Sequence, residues 1–282
     1  MEYLLLFITI FFSLIQNILS KQYSITAKEQ NLFLYSAISA FFAMIFFVVK
    51  AGFKLSFNAA FLPYSIAFAA SYGSALVGSV YAYKYGPLSV SSLILSTSLI
   101  VPTLYGIIFL NDPIKVTTYA GIFLLLVALT LINIKKEKME FSFKWGFFII
   151  LSFIGNGICS TAQKMQQVKF DGAYKSEFMI VALILVVLFL LAMSFTVKGN
   201  KKQMLKSCLC FAPFQGISNG IVNYFVMVLS ALIPVSVLFP SITACGMVIT
   251  FIISLTIYHE KLSKQQLIGY FTGMASVILL NL

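Results

Sequence analysis

The sequence predicts an all-helical (all-α) membrane protein with ten transmembrane helices. Its 282 residues are 60% hydrophobic and only 10% charged, and their mean hydropathy is +0.99. A soluble domain is about a quarter charged, so a composition this apolar indicates a protein that resides in the bilayer. Apolar runs of about 20 residues, the length that crosses the hydrocarbon core, recur along the whole chain.

These runs give the predicted spans in order. The first run starts at Glu2 and has neither the basic leader nor the small-residue cleavage site of a signal peptide, so we expect it to be a span of the mature protein. The later runs are separated by short breaks that carry charge, proline or glycine, and no break is long enough to fold as a soluble domain. The ten spans are 2–20, 31–50, 58–83, 87–110, 116–134, 144–164, 176–197, 207–231, 234–257 and 264–281.

The two halves of the chain repeat one another in sequence. The segment YKYGPLSVSSLI aligns with LSALIPVSVLFP, and NDPIKVTTYAGIF aligns with HEKLSKQQLIGYF, which pairs Asp112 with Glu260 and Gly121 with Gly269. Each half, 1–139 and 140–282, holds five predicted spans. Because five is an odd number, the second half enters the membrane from the opposite side, which makes the halves an inverted-topology repeat.

This arrangement resembles the drug/metabolite transporter superfamily, in its EamA-like branch, over essentially the whole chain. The residues that carry the resemblance are Asp112, Pro113 and Gly121 in the first half, and Glu260, Leu262, Gln266 and Gly269 in the second. The resemblance implies the EamA-like transporter fold and alternating access between the two halves. We expect a central site among the first, third, fourth, sixth, eighth and ninth spans.

Two spans carry a stripe of polar side chains along one helix face. The first stripe is Ser13, Gln16, Asn17 and Ser20, and the second is Ser152, Asn156, Ser160 and Gln163. A lysine, Lys21 or Lys164, closes each stripe. Polar groups inside a membrane are costly unless the protein satisfies them, so each stripe is either a hydrogen-bonding contact between helices or the lining of a path. The lysines either snorkel to the headgroups or make charged contacts with a substrate.

The eighth and third spans add polar and aromatic residues to these stripes. Asn219 and Asn223 lie one turn apart in the eighth span and are followed by Tyr224, while the third span carries Tyr72 and Tyr81. Amides flanked by tyrosines suit a polar molecule that is neutral or zwitterionic. The predicted substrate-binding residues are therefore Gln16, Asn17, Tyr72, Tyr81, Asn156, Gln163, Asn219, Asn223 and Tyr224, with Lys21 and Lys164 as charged contacts.

Missing residue types exclude several functions. No Asp, Glu or His falls in the middle of any predicted span, whereas a proton-coupled exporter of cations needs a carboxylate there. The sequence has no metal-ligand set, no nucleophile paired with a base and no phosphate-binding loop, so we expect no enzyme activity, no metal and no cofactor. The four cysteines lack metal or redox spacing and are interpreted as packed thiols.

The function that these residues favour is secondary transport of a small polar neutral or zwitterionic metabolite, as exporter, facilitator or exchanger. Two alternatives share the fold, namely efflux of drugs or organic cations and an accessory subunit of a lipid-linked-sugar flippase. A membrane scaffold or receptor that does not transport is a third alternative. The expected partners are a small-molecule substrate and the lipid bilayer, without nucleic acid, and a homodimer is left open.

The location is expected to be the plasma membrane of a bacterium, with several passes through the bilayer. All 19 basic residues are lysines, and they lie mostly in the breaks between spans. Thirteen lie on the side opposite the termini and six on the side of the termini, so the positive-inside rule places both termini outside. The family resemblance implies termini inside, and the sequence leaves the orientation open.

Overall fold

The regular elements of the chain, described from a computed structural model, are helical. The structure describes residues 2–27, 29–56, 58–85, 100–110, 115–133, 143–234, 236–239 and 264–281, with residues 95, 98, 241, 242 and 245, apart from a few side chains within the helices. The helices are α1 Glu2–Thr26, α2 Leu32–Lys50, α3 Leu62–Tyr85, α4 Ile100–Phe109, α5 Val116–Asn133, α6 Phe143–Lys169, α7 Lys175–Ser194, α8 Lys201–Leu232 and α9 Lys264–Asn281. No strand occurs within these described ranges.

Four of the described helical stretches are long and apolar enough to cross a membrane. They are Leu32–Lys50, Ala59–Ser79, Phe143–Lys169 and Lys175–Ser194. The prediction of an all-helical chain with membrane-spanning helices is confirmed to this extent. Most of the ninth predicted span lies outside the described residues, as do the motif residues Asp112, Pro113, Glu260 and Leu262 and the side chain of Gln266.

Several helices are longer than their predicted spans. α1 continues to Thr26, α6 continues to Lys169, and α8 begins at Lys201 rather than at residue 207. Hydropathy marks only the part of a helix that is apolar enough for the hydrocarbon core. The backbone hydrogen bonds that hold a helix do not end at that boundary, so the polar ends Lys-Gln-Tyr-Ser and Lys-Lys-Gln-Met extend the helices beyond the predicted limits.

The chain divides into two compact units. The first unit contains residues 1–73 and 162–231, and the second contains residues 74–161 and 232–282. The division falls within α3 and α6. Each unit therefore contains segments from both predicted repeats.

Small residues bring α8 close to α2 in the first unit. A Cβ atom on Gly216 would collide with the carbonyl oxygen of Ser39, and one on Gly220 would lie 2.7 Å from the ring of Phe46. The Ser39 hydroxyl donates to the carbonyl of Ala212 across the same contact, at 3.2 Å. Close approach at small residues is a common way for helices to pack in a membrane, and Gly216 and Gly220 allow it here.

Polar contacts identify the two ends of the first unit. At one end, the Asn31 side chain caps α2 and donates to the Ser194 carbonyl, at 3.0 Å, and Glu29 accepts from the Asn200 amide at 2.5 Å. The α1–α2 and α7–α8 connections therefore lie together, and we name this the α7–α8 end. At the other, the α2–α3 end, the Ser56 amide donates to Glu177 at the start of α7, at 3.1 Å.

The second unit pairs α5 with α9 and the end of α3 with the start of α6. Ser276 in α9 donates to the carbonyl of Gly121 in α5, at 2.8 Å. Ser152 in α6 donates to the carbonyl of Ala75 in α3, at 2.7 Å, beside Gly78, where no side chain would fit. Each serine thus finds its hydrogen bond on a neighbouring helix, which removes the cost of placing a hydroxyl among apolar residues.

The contact of α8 with α2 predicts that alanine lowers the stability of the protein at Gly216 but not at Gly146. Gly216→Ala should destabilise the protein by about 1–3 kcal/mol, because the added methyl forces two backbones apart. Gly146→Ala is the matched control, since a Cβ atom there meets nothing within 4 Å and alanine favours a helix. Thermal unfolding in a mild detergent measures both. Equal stability of the two variants would contradict the close approach.

Candidate functional site

Four of the predicted amides lie together in the first unit. Gln16 is in α1, Gln163 is in α6, and Asn219 and Asn223 are one turn apart on one face of α8. Their positions along the chain are far apart, so only the packing of these three helices brings them together. We name these four residues the amide ladder.

The amide ladder is one continuous chain of hydrogen bonds. Gln163 Nε2 donates to Asn223 Oδ1 at 2.8 Å. Asn223 Nδ2 donates to Asn219 Oδ1 at 3.0 Å and to the Asn219 backbone carbonyl at 2.9 Å. Asn219 Nδ2 donates to Gln16 Oε1 at 3.0 Å. The ladder therefore links α6, α8 and α1 through side chains alone.

The direction of these bonds is fixed by the backbone. A carbonyl oxygen only accepts, so the Asn223 atom that contacts the Asn219 carbonyl must be the amide nitrogen. The orientation of each remaining amide follows from its neighbour. Gln163 uses its second N–H on the sulfur of Met179, at 3.8 Å. The bonds thus all run from Gln163 toward Gln16.

This direction leaves different groups open at the two ends. Gln16 Nε2, a donor, and Gln163 Oε1, an acceptor, form no hydrogen bond with any residue that the structure describes. Gln163 is only 5% exposed, and Gln16 is half-buried. The ladder is therefore satisfied in its middle, with a donor available at its α1 end and an acceptor at its α6 end.

Lys164, predicted as a charged contact, has a partner in the protein. It is 8% exposed, and its ammonium donates to the Ser230 carbonyl at 2.5 Å. Ser230 lies in the last turn of α8, where carbonyls lack donors within the helix and the helix dipole is negative. This geometry gives Lys164 a role in capping α8. The side chain of Lys21, its predicted counterpart, lies outside the described residues.

Two of the predicted tyrosines lie in the first unit and pack against other rings. Tyr224 contacts Phe46 and Phe47, each with ring centroids 6.4 Å away, and the Lys50 ammonium lies 5.0 Å from its centroid. Tyr72 stacks on Phe68 at 5.6 Å. Both tyrosines therefore belong to aromatic walls within this unit.

The remaining predicted residues are not brought to the ladder by the described contacts. Asn156 and Tyr81 belong to the second unit, where Tyr81 stacks on Phe148 with centroids 4.8 Å apart. Asn156 is half-buried on α6, about two turns before Gln163. The side chain of Asn17 lies outside the described residues.

Sequence reasoning missed three neighbours of the site, namely Lys50, Met179 and the Ser230 carbonyl. Lys50 ends α2, and the glycines that join α2 to α8 were a signal that could have placed it near Tyr224. No sequence pattern predicts that the Ser230 backbone carbonyl or the Met179 sulfur accepts a hydrogen bond. Only the packed helices reveal these two partners.

Comparison with known proteins supports the fold and nothing more specific. No protein-family model and no curated protein matches the chain. A solved structure described only as "Crystal structure of protein" matches with a TM-score of 0.76 and 14% sequence identity, over 99% of this chain and 98% of the other. At this identity the likeness shows a shared fold alone, and those words name no function.

The ladder predicts energetic coupling between Gln163 and Asn223. Alanine at each position, singly and together, should reveal a coupling of about 0.6 kcal/mol, and at most about 1.7, the range found for hydrogen bonds between membrane helices. Thermal unfolding of the four proteins in detergent gives this value.

A matched cycle pairs Gln163→Ala with Thr26→Ala. The Thr26 hydroxyl bonds only within α1, to the Gln22 carbonyl, so these two changes should add within about 0.5 kcal/mol. If the changes in unfolding free energy caused by Gln163→Ala and Asn223→Ala were also strictly additive, the hydrogen bond between these two residues would not form in the protein.

Proposed function

We propose that this chain is a secondary transporter that moves a small polar metabolite, neutral or zwitterionic, across the membrane by alternating access. The proposed architecture is the EamA-like one of the drug/metabolite transporters, with ten transmembrane helices in two inverted five-helix repeats. The proposed location is the plasma membrane of a bacterium. The observation that supports the function best is the amide ladder, which leaves a donor open at one end and an acceptor open at the other.

The open groups favour a substrate that carries both donors and acceptors. An amide group without a hydrogen bond inside a membrane protein is costly. A ligand that accepts from Gln16 Nε2 and donates to Gln163 Oε1 would remove this cost, and its binding would be favoured for that reason. The ladder contains no carboxylate to balance a cation. Lys164, the cation next to Gln163 in sequence, donates to the Ser230 carbonyl, so the described residues provide no set of convergent ammonium groups at the ladder for a phosphate.

The other predicted residues complete the proposed site. Asn17 and Asn156 would add amides to the same two helix faces, and Tyr72, Tyr81 and Tyr224 would form apolar walls with polar tips. Lys21 and Lys164 would set the charge at the edges of the path. A substrate-free resting state would keep the ladder closed on itself, and binding would replace some of its bonds.

Efflux of organic cations is a second candidate, and one cluster in the first unit favours it. The Lys50 ammonium lies 5.0 Å from the centroid of Tyr224, beside Phe46 and Phe47. Aromatic faces attract ammonium groups, and quaternary ammonium ligands are recognised in this way. A substrate cation would have to displace Lys50 from this position.

A thermal-shift screen of the purified protein separates the two candidates. The panel holds amino acids, polyols, nucleosides, quaternary ammonium compounds and sugar phosphates. A true ligand at 100 times its Kd adds about 2.7 kcal/mol of stability, which the assay detects. We expect stabilisation by a neutral or zwitterionic compound. Stabilisation by quaternary ammonium compounds alone would favour cation efflux instead.

Variants of the ladder then test transport itself. Gln163→Leu and Asn17→Leu should each lower flux of the stabilising compound in proteoliposomes by about tenfold, because each removes a hydrogen-bonding amide from the proposed site. Gln203→Leu, near the start of α8 and outside the ladder, is the matched control and should transport normally. Wild-type flux in both site variants would make the site assignment wrong. Loss of folding rather than flux would favour a scaffold role.

A further inference from the structure

The α7–α8 end of the first unit carries a dense group of exposed positive charges. Four lysines fall within nine residues, in the connection after α7 and in the first two turns of α8. All four are exposed to solvent. We name Lys198, Lys201, Lys202 and Lys206 the basic cluster.

The residues that the structure describes leave this charge without an ionic partner. In the described part of the chain, no ion pair joins a lysine of the basic cluster to a carboxylate. Glu29 is the acidic residue that the structure describes at this end, and it accepts the Asn200 amide at 2.5 Å. Lys201 makes one contact, with its ammonium 5.3 Å from the ring centroid of Phe195. The like charges repel one another and gain nothing from the positive end of α8.

At the opposite end of the same unit, three of the five lysines that the structure describes contact other groups of the protein, while Lys54 and Lys169 are exposed. At the α2–α3 end, Lys50 lies over Tyr224, Lys164 donates to the Ser230 carbonyl, and Lys175 donates to the Gly172 carbonyl. These ammonium groups are used inside the protein. Exposed lysines are therefore denser at the α7–α8 end, where four lie within nine residues, than at the α2–α3 end, where three are exposed and one of these, Lys50, lies over Tyr224.

Exposed apolar side chains border the basic cluster directly. Phe195 is 69% exposed beside Lys201, and Leu205 and Leu209 are 43% and 50% exposed on the same face of α8. Met204 and Cys208, on the adjoining face of α8, are buried. Along this face, the exposed residues therefore change from charged to apolar within two turns. This pattern is expected where a helix passes from the headgroup region into the hydrocarbon core.

We propose that the basic cluster binds the headgroups of anionic phospholipids. The ammonium groups contact the lipid phosphates, while Phe195, Leu205 and Leu209 contact the upper acyl chains. The apolar border is the reason for choosing a lipid over a soluble phosphate, since only a lipid uses both parts of the surface. Lysines near an anionic membrane surface each contribute about 1 kcal/mol, which is about fivefold in affinity. This inference does not depend on transport.

The test titrates short-chain phosphatidylglycerol into the full-length protein in a nonionic detergent and counts bound lipid by native mass spectrometry. The wild type should prefer phosphatidylglycerol to phosphatidylcholine of the same chain length, and added salt should weaken this binding. K202Q/K206Q should bind phosphatidylglycerol about 25-fold more weakly, since two lysines are lost. K202R/K206R, which keeps the charge, should retain binding.

The matched control is K54Q/K169Q. It removes two exposed lysines from the α2–α3 end and changes the net charge equally. Its binding should stay within about twofold of the wild type. Equal losses in the two double variants would overturn the proposal, because net charge would then be responsible. Equal binding of phosphatidylcholine, or of glycerol phosphate without acyl chains, would overturn it as well.

Discussion

A polar group within a membrane has to find its hydrogen bond inside the protein, and the helix contacts of this chain follow from that requirement. Backbone groups are satisfied within each helix, so a hydroxyl or amide side chain bonds either to a carbonyl of its own helix, as Thr26 does, or to a group on a neighbouring helix. Ser39, Ser65, Ser152 and Ser276 all donate to backbone carbonyls of other helices. A carbonyl has two lone pairs, so it accepts such a bond without giving up its place in its own helix.

Small residues make these bonds possible because a hydroxyl is short. Ser39 reaches the Ala212 carbonyl only where Gly216 leaves no side chain between α2 and α8. Ser152 reaches the Ala75 carbonyl beside Gly78 in the same way. Close approach and hydrogen bonding are therefore linked at these contacts, because a side chain at the glycine would also move the serine away from its carbonyl.

The sequence was enough to select the polar residues within the predicted spans as candidates. It was not enough to predict which groups those residues contact. The apolar runs predicted the helices, and the spacing of Asn219 and Asn223 placed both amides on one face of α8. The partners Gln16 and Gln163 were selected as candidates, but the order of bonding depends on how α1 and α6 pack beside α8. That packing is a tertiary property without a local signal. The same reason explains why Lys164 could be predicted as a charged residue near a helix end, while its bond to Ser230 could not.

The amide ladder differs from the serine contacts in a way that matters for function. A serine bonded to a carbonyl has an obligate partner, because the carbonyl stays where its helix places it. An amide bonded to another amide can exchange that partner for a ligand, since both groups are on rotatable side chains and each bond contributes only about 0.6 kcal/mol. Gln163 is well placed for such exchange because it joins the ladder through Nε2 alone, while its Oε1 forms no hydrogen bond with any residue that the structure describes. A ligand that took the Asn223 bond from Gln163 would therefore break the link that the ladder makes between α6 and α8, while Asn223 Nδ2 could keep its bonds to Asn219.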